Sequence, residues 1–191
     1  MLYNVHLVLL LITLLSGCGA GESSSSNTDT QTFVEPSKAE ILAVINKIRS
    51  QKIDCKNGLG FVGPSQPLKC NPELYEAAYE HSYDLAMTNT FSHDGSGTQY
   101  DIAGYNRGTQ SYFTERIDDH GYVDYDIIGE NIAAGITSLE EVVQRWIESP
   151  AHCTNLMNNK FNEMGISIVV NPDSHYGIYW TQELGHRKEV Q

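Results

Sequence analysis

Three short strings hold the side chains best suited to chemistry: Phe91-Ser92-His93, Gly129-Glu130-Asn131 and Ser149-Pro150-Ala151-His152-Cys153. Two neutral imidazoles and a carboxylate suit Zn2+ or another divalent cation, with His93 and His152 as the metal ligands. The same groups can work as a general acid and base, because histidine titrates near neutral pH. They can equally form a hydrogen-bonded cluster that positions the segments carrying them. No Gly-x-Ser-x-Gly elbow and no His-Glu-x-x-His helix accompanies them, so no nucleophile is assigned.

Several elements must bring these strings together. Ser37 with Glu40 three residues on is a capping-box pattern, and Ile41, Ile45 and Ile48 then form one apolar stripe. Residues 54–69 are rich in Gly and Pro and read as loop. Asn71-Pro72 opens a second helix, with an N-cap followed by Pro at the first helical position. Leu74, Ala78, His81 and Leu85 share its apolar face, beside a second stripe of Tyr75, Tyr79 and Tyr83. His81 on that face reads as a core histidine donating to a backbone carbonyl.

Residues 92–125 lack a long period and read as a surface excursion with one short helix near 113–117. A strand is expected over 127–134. A third helix opens at Ser138 with Glu141 in the capping-box position, carries Trp146, and ends at Ser149-Pro150. One helical turn is expected over 155–158. Strands at 166–170 and 176–184 flank the turn signal Asn171-Pro172-Asp173-Ser174. Helices early and an antiparallel ending suggest an α+β layered fold. Alternation puts Trp180 and Gln182 on one sheet face, so Gln182 either supports the cleft or is an edge polar residue. His120, His175 and His186 lie beside charged, Gly or Ser residues and read as solvated.

The ends of the chain speak of export. The first seventeen of the 191 residues contain no Asp, Glu, Lys or Arg, and Val5 with Leu7–Leu15 forms an apolar core. A bilayer span needs about 20 residues, so this length suits a signal peptide (1–17) better. Leu15-Ser16-Gly17-Cys18 resembles a bacterial lipobox, which makes Cys18 the lipidation site and the membrane anchor. Residues 18–36, dominated by Ser, Thr and Gly, read as a flexible tether, 37–187 as the globular domain and 188–191 as a tail. The formal net charge of −12 argues against nucleic acid or an anionic lipid surface as a partner. Removing Cys18 leaves Cys55, Cys70 and Cys153, an odd number for an exported chain in which one disulfide is expected. Both Cys55–Cys70 and Cys55–Cys153 are open on this arithmetic.

In order and spacing, the strings around His93, Glu130 and His152, followed by Tyr179-Trp180-Thr181-Gln182, resemble the signature of the CAP superfamily in its bacterial, SCP-domain form. The resemblance implies a three-layer α-β-α sandwich and a cleft lined by His93, Glu130 and His152, with Gln182 close by. It favours the Cys55–Cys153 pairing. The family's further glutamate, three residues after the helix tryptophan, is replaced by Ser149. Glu148 is one residue short, a helical rotation of about 100°, and is expected to point elsewhere.

The resemblance gives a fold more firmly than a reaction. The expected function is a lipid-anchored protein of the bacterial cell envelope, at the outer membrane or cell surface. Its cleft would bind a small molecule, lipid, glycan or protein partner, with or without a divalent metal such as zinc. The alternative is a metal-dependent hydrolase acting on peptide or cell-wall material.

Overall fold

A computed structural model describes residues 33–188. The expected signal peptide, the expected lipidation site Cys18, most of the expected tether and the last three residues lie outside the described residues.

The chain folds as α1 (Lys38–Arg49), β1 (Ile53–Asp54), β2 (Phe61–Val62), β3 (Lys69–Cys70), α2 (Pro72–Thr88), α3 (Ile102–Arg107), α4 (Phe113–Asp119), β4 (Tyr125–Ala134), α5 (Leu139–Glu148), α6 (Pro150–Leu156), β5 (Glu163–Val170) and β6 (Ile178–Arg187). A four-stranded sheet runs in the order β3-β5-β6-β4, while β1 and β2 form a separate hairpin. β6 pairs antiparallel with β4 and β5, and β3 pairs parallel with β5. Helices α1, α5 and α6 cover one face, and α2 and α4 cover the other. This is the expected three-layer α+β sandwich.

Local chemistry explains the helix starts. Ser37 and Glu40 form the full capping box, Asn71 Oδ1 accepts from Leu74 N, and Ser138 Oγ accepts from Glu141 N. Each such cap contributes about 1 kcal/mol. On the first face Ile41, Ile45, Val142, Trp146, Ile166 and Trp180 form the main core. Full burial of each large apolar side chain contributes about 1.5–3 kcal/mol. Both tryptophans also satisfy their indole N–H, Trp146 on Ile132 O and Trp180 on Ile136 O. Phe33, assigned from sequence to the tether, packs edge-on against Trp180.

On the second face α2 lies directly on β5. A Cβ at Gly165 would stand 2.1 Å from the backbone of Leu74 and Tyr75, so only glycine permits this approach. The disulfide joins Cys55 to Cys153, tying the loop after α1 to α6, and Cys70 is a free, exposed thiol.

Two expectations need correction. The excursion over 92–125 contains two helices, α3 and α4, and is folded around a buried carboxylate. Asp101 accepts from the backbone N–H groups of Gly97, Gly104 and Ser111 and from Ser111 Oγ. These polar contacts span three to ten residues and leave no apolar period in the sequence. Ser149-Pro150 does end α5, but Pro150 is also the first residue of α6, where its missing N–H costs nothing. His152 therefore sits on a helix that begins five residues before the single turn expected at 155–158.

Candidate functional site

His93 follows α2 in the loop before α3, Glu130 lies in the middle of β4, and His152 is in the first turn of α6. His93 Nδ1 donates to Glu130 Oε1 at 2.6 Å. The two imidazole rings face one another with centroids 6.4 Å apart. His152 Nδ1 is 2.9 Å from Ser149 Oγ. The His93 side chain is 52 % exposed while that of Glu130 is 1 % exposed, so a buried anchor holds a solvent-facing ring.

The anchor extends inward. Arg116 on α4 is fully buried and donates to Glu130 Oε2 at 2.8 Å, to His93 O at 3.0 Å and to Ser111 Oγ at 2.9 Å. Ser111 in turn donates to Asp101. Glu183 stands opposite Glu130 as its cross-strand partner on β6 and is also buried. His81 donates from Nε2 to Ser92 O, the residue before His93, as expected for a core histidine. Its Nδ1 is buried without a partner, which fits a neutral ring.

Charge follows from these contacts. Burial opposes ionisation of Glu130, but His81, Arg116 and the hydrogen bond from His93 outweigh it and hold this carboxyl below its usual range. Burial lowers His81 to about 4, so near neutrality Arg116 supplies the charge that matters. Burial and the neighbouring Glu130 push Glu183 upward, making it a neutral acid beside a carboxylate. The hydrogen bond to Glu130 raises His93, whereas burial and then the proximity of His93 lower His152. The two exposed rings are thus driven apart, one toward the protonated form and one toward the neutral form.

The other sequence candidates are placed as follows. Gln182 lies on the opposite sheet face from Glu130, where its Oε1 accepts from Asn131 Nδ2 at 3.0 Å, and it does not meet His93. Asn155 bridges that face by donating to Asn131 Oδ1 and to Glu130 O. Glu148 is exposed and bonded to Gln144, away from the pair. His120 is not simply solvated: its Nε2 lies 2.7 Å from the buried Glu80. His186 is half-buried near the end of the interior strand β6, and its Nδ1 has no hydrogen-bond partner.

The donor set does not suit a resident metal. Among the described residues no group of three or more His, Cys, Asp and Glu side chains is arranged to hold an ion. Both Glu130 oxygens are taken by His93 and Arg116, which leaves His93 and His152 as two imidazoles where zinc sites use three or four protein ligands.

The model of the cysteine-rich secretory protein family, CAP, matches residues 42–184 of this chain. The chain belongs to the CAP family. Among curated relatives, YkwD of Bacillus subtilis is 29% identical over 121 residues, 62% of this chain and 39% of its own length. The membrane protein YlbC of the same organism is 27% identical over 132 residues, 69% of this chain and 31% of its own. The CAP chain thus spans about a third of the length of these relatives. An extracellular SCP-domain protein of Bacillus anthracis is similar in structure, with TM-score 0.56, 25% identity, and coverage of 78% of this chain and 40% of that one. An outer surface protein of Borrelia burgdorferi shares the fold, with TM-score 0.54, 21% identity, and coverage of 78% and 89%.

Sequence reasoning missed Arg116, Glu183 and Ser111. Glu183 was accessible in principle: alternation along β6 puts it on the face of Thr181, and two opposed carboxylates demand a proton or a cation. Arg116 carried no signal, because its helix has no apolar period.

Proposed function

We propose that this CAP domain works outside the cytoplasm as a binding domain, held to the cell envelope by lipid on Cys18. Its ligand places a hydrogen-bonding oxygen group between His93 and His152. The observation that carries this reading is the half-exposed His93, fixed from below by a wholly buried Glu130–Arg116 pair. A ring pushed toward protonation beside one pushed toward the neutral form offers a donor and an acceptor to the same small group, such as a carboxylate, phosphate or sugar hydroxyl. The Cys55–Cys153 disulfide supports an oxidising compartment, as do the extracellular and outer-surface names of the two structural relatives.

The hydrolase reading rests on a different observation, the opposed shifts of the two histidines, which make an acid–base pair. One experiment separates the two. Imidazole Cε1–H resonances of His93 and His152 are followed by NMR while acetate, inorganic phosphate, N-acetylglucosamine and Zn2+ are titrated in turn. Binding predicts saturable shifts of both rings with an oxygen-bearing probe, lost in His93→Ala. No shift with any oxygen probe contradicts the binding reading. Turnover of a peptide or peptidoglycan panel that is lost in His152→Ala establishes the hydrolase.

A further inference from the structure

A second surface shares no residue with the His93–His152 pair. Tyr75, Tyr79 and Tyr83 stand at successive i, i+4 positions on α2, and their rings run near-parallel, with centroids 6.5 and 5.9 Å apart. Tyr100, in the loop before α3, closes the end of the row edge-on to Tyr83 at 5.8 Å. The inner side of α2 is spent on the core through Leu74, Ala78, His81 and Leu85, whereas Tyr79 is 44% exposed.

The charge around this row has one sign. Residues 72–88 include Glu73, Glu76, Glu80 and Asp84 but no Lys or Arg. Glu80 and Asp84 are buried and engaged by Ala103 N and Ser96, and Glu73 is paired with Arg187, which leaves Glu76 as the exposed, uncommitted carboxylate of α2. Glu35 and Glu76 are close enough to Tyr75 to add, after burial, to the upward push on its phenol. Among the described residues, the cation seated on the row is Lys38, whose Nζ sits 4.2 Å over the Tyr75 ring. The chain therefore already seats one ammonium group on this row, and a tyrosine face attracts such a cation.

The spacing selects among cationic partners. Side chains on one side of an extended strand recur every ~6.6 Å, twice the rise per residue. That repeat matches the observed ring spacings of 6.5 and 5.9 Å. We propose that the Tyr75–Tyr79–Tyr83 row, closed by Tyr100, is a docking track for an extended segment of a partner protein bearing Lys or Arg at alternate positions. Lys38 holds the Tyr75 end of the track, partner cations meet the Tyr79 and Tyr83 rings, and Glu35 and Glu76 supply the flanking charge. An anionic partner is excluded by the net charge of −12.

The test is fluorescence anisotropy of a labelled peptide of alternating lysine and threonine, titrated with the full chain. Tyr79→Leu keeps the charge and an apolar side chain but removes the aromatic face, and is expected to weaken binding about 2- to 5-fold, as loss of one exposed cation–π contact predicts. Tyr79→Leu combined with Tyr83→Leu is expected to weaken it about 5- to 30-fold, with the circular-dichroism melting profile retained. Glu76→Gln is expected to weaken it as well. Four results would overturn the proposal. The tyrosine variants bind the alternating peptide as tightly as wild type, or the wild type does not bind it. A block peptide of the same composition binds equally well, so that net charge alone explains the affinity. A neutral chitooligosaccharide displaces the peptide, which makes the track a glycan shelf.

Discussion

Arg49 and Arg116 are both fully buried, and they are satisfied in opposite ways. Arg49, at the end of α1, donates to the carbonyl oxygens of Gln66, Leu156, Asn158 and Phe161. All its partners are neutral backbone groups, and burial lowers its pKa to about 10. Its network is closed: it ties α1 to the loop before β3 and to the end of α6, and no exposed functional group hangs from it. Arg116 instead meets a carboxylate, a hydroxyl and the backbone of His93, and its network emerges at a half-exposed imidazole. The same buried cation serves as a staple in one region and as a charge source in the other. Charge that reaches the surface through titratable neighbours is the mark of a site; charge absorbed by carbonyls is the mark of a scaffold.

The largest effects should break that contrast if it is wrong. Arg49→Met strands buried carbonyls and is expected to cost about 3 kcal/mol or more. Arg116→Met leaves Glu130 as an uncompensated buried charge and is expected to cost about 3–5 kcal/mol near neutrality. The two should differ in pH dependence. Without Arg116, Glu130 is pushed upward by burial, so the variant recovers stability as pH falls and this carboxyl protonates. Arg49 is protonated in both folded and unfolded chains throughout the acid and neutral range, so its loss should be flat with pH. Chemical denaturation from about pH 4.5 to 7.5 checks this; a flat Arg116→Met profile removes the distinction.

How far the sequence foretold these regions depends on the kind of interaction. Helices α1, α2 and α5 were legible because caps and apolar stripes are local: Ser37 with Glu40, Asn71 before Pro72, Ser138 with Glu141. His93, Glu130 and His152 were legible through ordered strings, and the structure brings them close: Glu130 bonds His93, whose ring lies 6.4 Å from that of His152. Arg49, Arg116 and Ser111 were not, because the partners of Arg49 lie up to 112 residues away and those of Arg116 up to 23, and no residue type announces a buried guanidinium or the hydroxyl beside it. Gln182 was assigned to the right strand, but Asn131 and Gln182 project from one face while Glu130 and Glu183 project from the other. A one-residue step along a strand reverses the side to which a group points.

A smaller effect sharpens the comparison. Glu183 has its pKa raised by burial and by Glu130, so its contribution is favourable at low pH and is lost as pH rises above the ordinary carboxyl range. Glu183→Gln supplies a permanently neutral donor at the same place. Its melting temperature relative to wild type is expected to rise with pH between about 4 and 8, by about 2–4 °C for each kcal/mol relieved. An offset independent of pH would mean that Glu183 does not titrate out of its normal range.

The central claim is that the buried Arg116–Glu130 pair governs the exposed His93. NMR titration of the two cleft histidines in wild type and in Glu130→Gln tests it most directly. The account predicts that His93 titrates above His152 in the wild type and falls toward it in the variant, with the remaining amide spectrum showing the same fold. Equal values in the wild type, or a His93 value indifferent to Glu130→Gln in a folded variant, would contradict it.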